Sequence, residues 1–301
     1  MGAFDTSIGV LLIGLFLNTY LFGLVTYQFI VYKNTKFNDR PWIKAIVASL
    51  FCIDVIHSAV AVYAGWEFCV ANYNNPASLA VVSWTIPFTA CATSVAALIS
   101  QTFLGHRVLV LTQSKVLTGV IAVLSFLGAF FGVYAGIYSG IVHFVAKFDI
   151  LHPYVTCWLA FQTSADILIT ISLTWILSRS RTGFRKTDTI INRIIRGAVQ
   201  TGLFCTIFAL GDLFSFLFAD ETYFYAMFAF PLGRIYTNTL LDTLNARTAL
   251  KSGGYSDADT GDSYRLNNTN TIGIHSITVQ KEIVTERDEN QSDRKYPVEA
   301  V

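Results

Sequence analysis

Four ionisable residues lie deep inside apolar stretches of this chain: Asp54, Asp166, Asp212 and Arg234. Charges at bilayer depth cost several kcal/mol, so they face a bundle interior and find partners. Counting at ~1.5 Å per residue, Asp54, Asp166 and Arg234 sit at one depth, and Asp212 lies about one turn further out. Arg234 then has Asp54 or Asp212 as its ion-pair partner, which leaves Asp166 without a base at that level. His57 follows Asp54 by three residues and projects from the same helix face. Arg234, Asn238 and Asp242 fall at i, i+4 and i+8 with Asn245 beyond, a polar stripe running toward one membrane face. Asn18 and Gln101 add to the interior. Three kinds of chemistry fit this set: a midplane pocket for a small ligand or ion, a proton- or ion-coupled pathway, and a structural network that fixes helix register.

Enzyme motifs are weak. A zinc hydrolase needs several His and a carboxylate around the metal, and His57 is the only His deep in an apolar stretch. There is no H-x-x-x-H pair, no G-x-S-x-G elbow and no P-loop. No deep Lys is present for a retinal Schiff base. The sequence therefore calls for no cofactor and assigns no catalytic or metal-binding residue.

The elements that must position these groups are seven apolar runs, at 8–32, 42–66, 79–104, 116–142, 153–177, 198–219 and 222–244. Each has the ~20 residues that a helix needs to cross a bilayer. The expected fold is all-α, an integral membrane seven-helix bundle over 1–250, followed by a disordered polar tail over 251–301. Of the 21 Lys and Arg, only Lys147 falls in a connector on the opposite side and only Arg234 falls mid-span. The positive-inside rule then puts the N-terminus outside and the C-terminus in the cytosol. Residues 1–7 carry no basic n-region, so the first span reads as a reverse signal-anchor rather than a cleaved leader. Positives spread along one leaflet give no nucleic-acid patch.

Within this plan, Gly128, Gly132, Gly136 and Gly140 recur every four residues and leave one helix stripe bare. That stripe suits either a homodimer seam or a close contact within the bundle. Cys69 and Cys157 both lie near the expected outer face, where a disulfide or two separate thiols are equally compatible. The loop 178–197 concentrates bases. Arg181, Arg185 and Lys186 there are candidates for anionic lipid headgroups or for a cytosolic partner. The tail 251–301, with ten Ser/Thr and nine acids, cannot bury enough apolar surface to order itself and is a second candidate partner region.

These residues also carry a family resemblance. Gly14-x-x-x-Asn18, Asp54-x-x-His57, Asn75-Pro76 with Trp84, and Gln101 with Arg107 stand in the first half. Ser180-Arg181-Thr182-Gly183-Phe184, Tyr236-x-Asn238-x-Leu240-Leu241 and Leu244-Asn245-Ala246-Arg247 follow. Over most of 8–250 the chain resembles fungal, mainly mushroom-type, seven-helix membrane proteins that share a domain of unknown function. The resemblance implies a multi-pass membrane protein and supplies no activity. Rhodopsin-type signatures are missing: the third span ends Gly105-His106-Arg107, and helix seven lacks an Asn-Pro-x-x-Tyr element. The expectation is a plasma-membrane, receptor-like sensor of an unknown ligand, with a small molecule as one candidate. An ion- or proton-coupled transporter comes second and a zinc-dependent membrane hydrolase third.

Overall fold

In the computed structural model, seven long helices hold most of the described residues: α1 Val10–Asn34, α2 Pro41–Trp66, α3 Thr85–Thr112, α4 Lys115–Val142, α5 His152–Arg179, α6 Arg185–Phe218 and α7 Phe224–Asn245. The structure describes residues 5–35, 37–73, 75–180, 185–218 and 222–247, with the backbone alone at 76, 185–191, 193–194 and 198. The chain divides into a unit Met1–Asp259 and a unit Thr260–Val301, and the second lies outside the described residues. So does the expected tail.

Local chemistry sets most of the helix ends. Pro41 opens α2, where its missing N–H costs nothing. The Ser114 hydroxyl accepts from the Leu117 amide at 3.4 Å and starts α4. Gln113 and His143 adopt left-handed backbone (φ 56° and 61°) and stop α3 and α4. Proline opens α5 as well.

Six helical segments are long and apolar enough to cross a membrane. Their outer faces are dressed in apolar side chains, with Phe16, Val123, Ile171 and Phe204 all more than half exposed. Such exposure suits lipid and would be a liability in water. These helices support an integral, multi-pass membrane protein. α7 is not among the six. It is the central helix, packed against α1, α2, α3 and α6, so it need not be apolar all round and can carry Arg234, Thr237 and Asn238. Gly14 of α1 makes its approach possible, because a Cβ there would meet the Ala226 carbonyl oxygen at 2.8 Å.

Two expected boundaries shift. Residues 79–84 belong to the connector before α3, where Val81 bridges Phe144 and the Val82 amide donates to the His143 carbonyl. Most of the loop 178–197 is instead the first turns of α6, which begins at Arg185. The spacing of Ile190, Ile191, Ile194 and Ile195, free of Pro or Gly until Gly197, is helical.

The glycine stripe of α4 is spent inside the bundle. A Cβ at Gly128 would press on the backbone of Gln162, and one at Gly132 would strike Ser94 and Trp158. At Gly136 the obstacles are Cys91 and the Pro87 carbonyl, and at Gly140 the Pro87 ring. The missing side chains let α4 close on α3 and α5 of its own chain.

Candidate functional site

α7 brings Arg234 to the centre of the bundle at 0% exposure. Of the two partners open to it, the structure has Asp54: the guanidinium ion-pairs with that carboxylate on α2, which is itself fully buried. Its second nitrogen donates to the Ser58 hydroxyl at 3.1 Å, and the ring of Phe22 lies 5.8 Å away on the α1 side. His57 stands one turn from Asp54, bonded through Nε2 to the Thr89 hydroxyl at 3.2 Å. Asn238 donates to the Arg234 carbonyl at 3.0 Å and to the Leu21 carbonyl at 3.3 Å. Asn245 repeats the second contact on Gln28 at 2.9 Å. The polar stripe of α7 therefore pins that helix to α1 and α2.

Asp166 belongs to a separate network. Gln101 donates to one carboxylate oxygen and Tyr236 to the other, both at 2.7 Å. Gln162, one turn before Asp166 on α5, donates to the Tyr236 hydroxyl at 2.7 Å. Trp158, another turn back, donates its ring N–H to the Gln162 side-chain oxygen at 2.7 Å. The result is a directed chain of four buried side chains, Trp158 to Gln162 to Tyr236 to Asp166. No Lys or Arg joins it among the described residues; two neutral donors hold the carboxylate instead. A small cavity of about 30 Å³ borders its deep end, lined by Gln101, Asp166, Cys205 and Tyr236 among others.

Asp212 lies apart from both. It is 4% exposed and has no hydrogen-bond or ion-pair partner among the described residues. With Trp158, Phe216, Tyr225 and Phe230 it lines a cavity of about 60 Å³ between α3, α4, α5, α6 and α7. This cavity lies at the end of the bundle that carries the connectors 67–84 and 143–151. The connector 67–84 is tied within itself, where Ser83 donates to the Glu67 carboxylate at 2.5 Å, and to the start of α7, where Tyr223 donates to the Leu79 carbonyl at 2.7 Å. Burial, with the Glu67 charge added, pushes the Tyr223 hydroxyl up to about 12, so this tie stays protonated and donating.

A clasp closes the opposite end. Arg247, just past α7, forks onto both oxygens of Asp39 at 2.7 and 2.8 Å, and Tyr32 donates to the same carboxylate at 2.9 Å. The guanidinium lies 4.5 Å from the Phe37 ring centre. The hydrogen bonds from Arg247 and then from Tyr32 hold Asp39 below the usual carboxylate range, against the opposing effect of burial.

Sequence reasoning named Asp54, His57, Asp166, Asp212, Arg234 and Asn238 as one group, and the structure sorts them into three. It gave no site role to Tyr236, which it quoted only as part of a motif, and it missed Trp158 and Gln162, although Trp158, Gln162 and Asp166 stand at i, i+4 and i+8 and could have been read as a stripe. It also missed the Asp39–Arg247 clasp. Cys69 and Cys157 are separate thiols. Arg181 and the side chains of Arg185 and Lys186 lie outside the described residues. Among the described residues, no three His, Cys, Asp or Glu side chains are grouped to hold a metal.

Residues 162–249 match a family of unknown function, DUF6534. The matched stretch contains Gln162, Asp166, Asp212, Tyr225, Arg234 and Tyr236, that is, α5 from Gln162 onward, α6 and α7. It is narrower than the 8–250 over which the sequence motifs were collected. Neither a curated protein nor a solved structure matches the chain.

Proposed function

We propose that this chain is a receptor-like membrane sensor that holds a small molecule in the cavity beside Asp212 and reports its occupancy through the bundle. One observation supports this above the others: Trp158 both lines that cavity and heads the buried chain that ends at Asp166. A ligand that moves the indole changes the first donor in a connected network, and such a network is a physical route for coupling two sites. On the positive-inside reading the cavity opens toward the outside of a plasma membrane, as a sensor requires. The motifs quoted above favour grouping the chain with the fungal seven-helix proteins it resembles.

A coupled carrier is the second reading, favoured by the small cavity at Asp166 on the far side of the Trp158–Gln162–Tyr236 layer. A carrier must open that layer, whereas a sensor keeps it shut. The zinc hydrolase gathers no support from the residues described. Proteoliposomes containing the purified protein alone separate the first two readings. A sensor gives no uptake of protons or methylammonium above protein-free vesicles, and protein-dependent net uptake would overturn it in favour of the carrier.

A further inference from the structure

Three polar groups meet in the Asp212 cavity without partners among the described residues. They are the Asp212 carboxylate, the Tyr225 hydroxyl and the Thr93 hydroxyl. Apart from Thr89 and Ser139, whose hydroxyls donate to backbone carbonyls of their own helices, the rest of the lining is apolar, and five of its side chains are aromatic: Phe148 from the connector 143–151, and Trp158, Phe216, Tyr225 and Phe230 from α5, α6 and α7. Phe216 and Tyr225 meet edge to face at 5.7 Å and 89°. We infer that this cavity is a binding site for a small organic cation, an alkylammonium group that takes Asp212 as its counter-charge and the surrounding rings as its walls. The inference rests on the sensor reading for the claim that the cavity is where the ligand sits.

The chemistry selects the class. Aromatic rings attract a cation through their quadrupoles, and they do so best when water is excluded. A carboxyl group removed from water takes up a proton unless a positive charge or several donors keep it ionised, and a bound cation supplies that charge. The deep base Arg234 does not line the cavity and is committed to Asp54. The Tyr225 and Thr93 hydroxyl oxygens can accept from ammonium N–H groups. An anion in the same place would face the Asp212 charge with no Lys or Arg among the lining residues to offset it. A neutral apolar molecule would leave the carboxylate as unpaired as before. Size limits the ligand too. At roughly 10–15 Å³ per water-sized group, 60 Å³ holds about half a dozen heavy atoms at most.

Three probes of similar size and different charge test this: tert-butylammonium, tert-butanol and isobutyrate, titrated calorimetrically at pH 7 into the full-length protein in lipid nanodiscs. Saturable binding of tert-butylammonium is expected, at least tenfold tighter than either of the others. Asp212→Asn should weaken it at least tenfold, about 1.4 kcal/mol, and Ala229→Phe, which fills the cavity, should abolish it. If Asp212→Asn does not fold, the comparison of the three probes on the unmodified protein still decides. Equal binding of tert-butanol would overturn the cation class while leaving the sensor reading intact. Binding of no probe, or cation binding that survives Ala229→Phe, would also overturn the inference. The flux experiment above decides the sensor reading independently.

Discussion

Arg234 shows how one deep charge organises its neighbours. Breaking a buried ion pair from one side leaves the other charge uncompensated, at a cost of about 3–5 kcal/mol. Arg234→Leu should therefore lower thermal stability in detergent by far more than the double variant Arg234→Leu/Asp54→Leu. Equal losses would show that the pair is incidental. The clasp at the other end gives a pH prediction. Asp39 is held below its ordinary value of 3.8, so its contribution is complete above that value and is lost as pH falls through the depressed one. Unfolding followed from pH 7 to pH 3 should be steeper for the unmodified protein than for Asp39→Asn. Superimposable curves would remove the clasp from the account. At this scale the sequence was partly legible. Depth and charge type narrowed Arg234 to two acids, but linear spacing cannot order helices around a bundle, so the choice of Asp54 needed the fold. Asp39 and Arg247 are separated by most of the chain and showed no local signal of their pairing.

Among the elements, α4 offers the cleanest test of packing. A side chain at Gly136 must displace Cys91 and the Pro87 carbonyl, and overpacking of this kind costs about 1–3 kcal/mol. Gly119 on the same helix has open space around its Cβ direction, where alanine is a better helix former by roughly 0.5–1 kcal/mol. Gly136→Ala should lower the unfolding temperature and Gly119→Ala should hold or raise it. Equal effects would mean that the stripe is not a packing device. The helices themselves were legible because lipid demands about 20 apolar residues per crossing. Hydropathy misplaced the start of α3, since the apolar residues 79–84 pair with the connector after α4 rather than with lipid. It counted α7 as one apolar run among seven and could not show its central place, because hydropathy does not say which helix the others surround.

For the whole molecule, the charge asymmetry gives an expected direction that accessibility can check. The tail from 251 onward should be reachable by protease only from the cytosolic face of sealed vesicles, and its sequon at Asn267 should stay unglycosylated. Exposure on the other face would place the Asp212 cavity toward the cytosol and end the outward-facing reading. The cavity was only partly legible in the sequence. Asp212 stood out as a deep acid, but the rings around it come from α5, α6, α7 and the connector 143–151 and look like ordinary core residues in the chain. The central claim is that occupancy at this end is felt at the other. Hydrogen exchange by mass spectrometry, comparing the unmodified protein with Ala229→Phe in nanodiscs, measures that coupling directly. A sensor predicts altered exchange at 185–197 and 240–247, the inner ends of α6 and α7, and predicts that Trp158→Phe abolishes this response. Changes confined to the helix turns around residue 229 would contradict it.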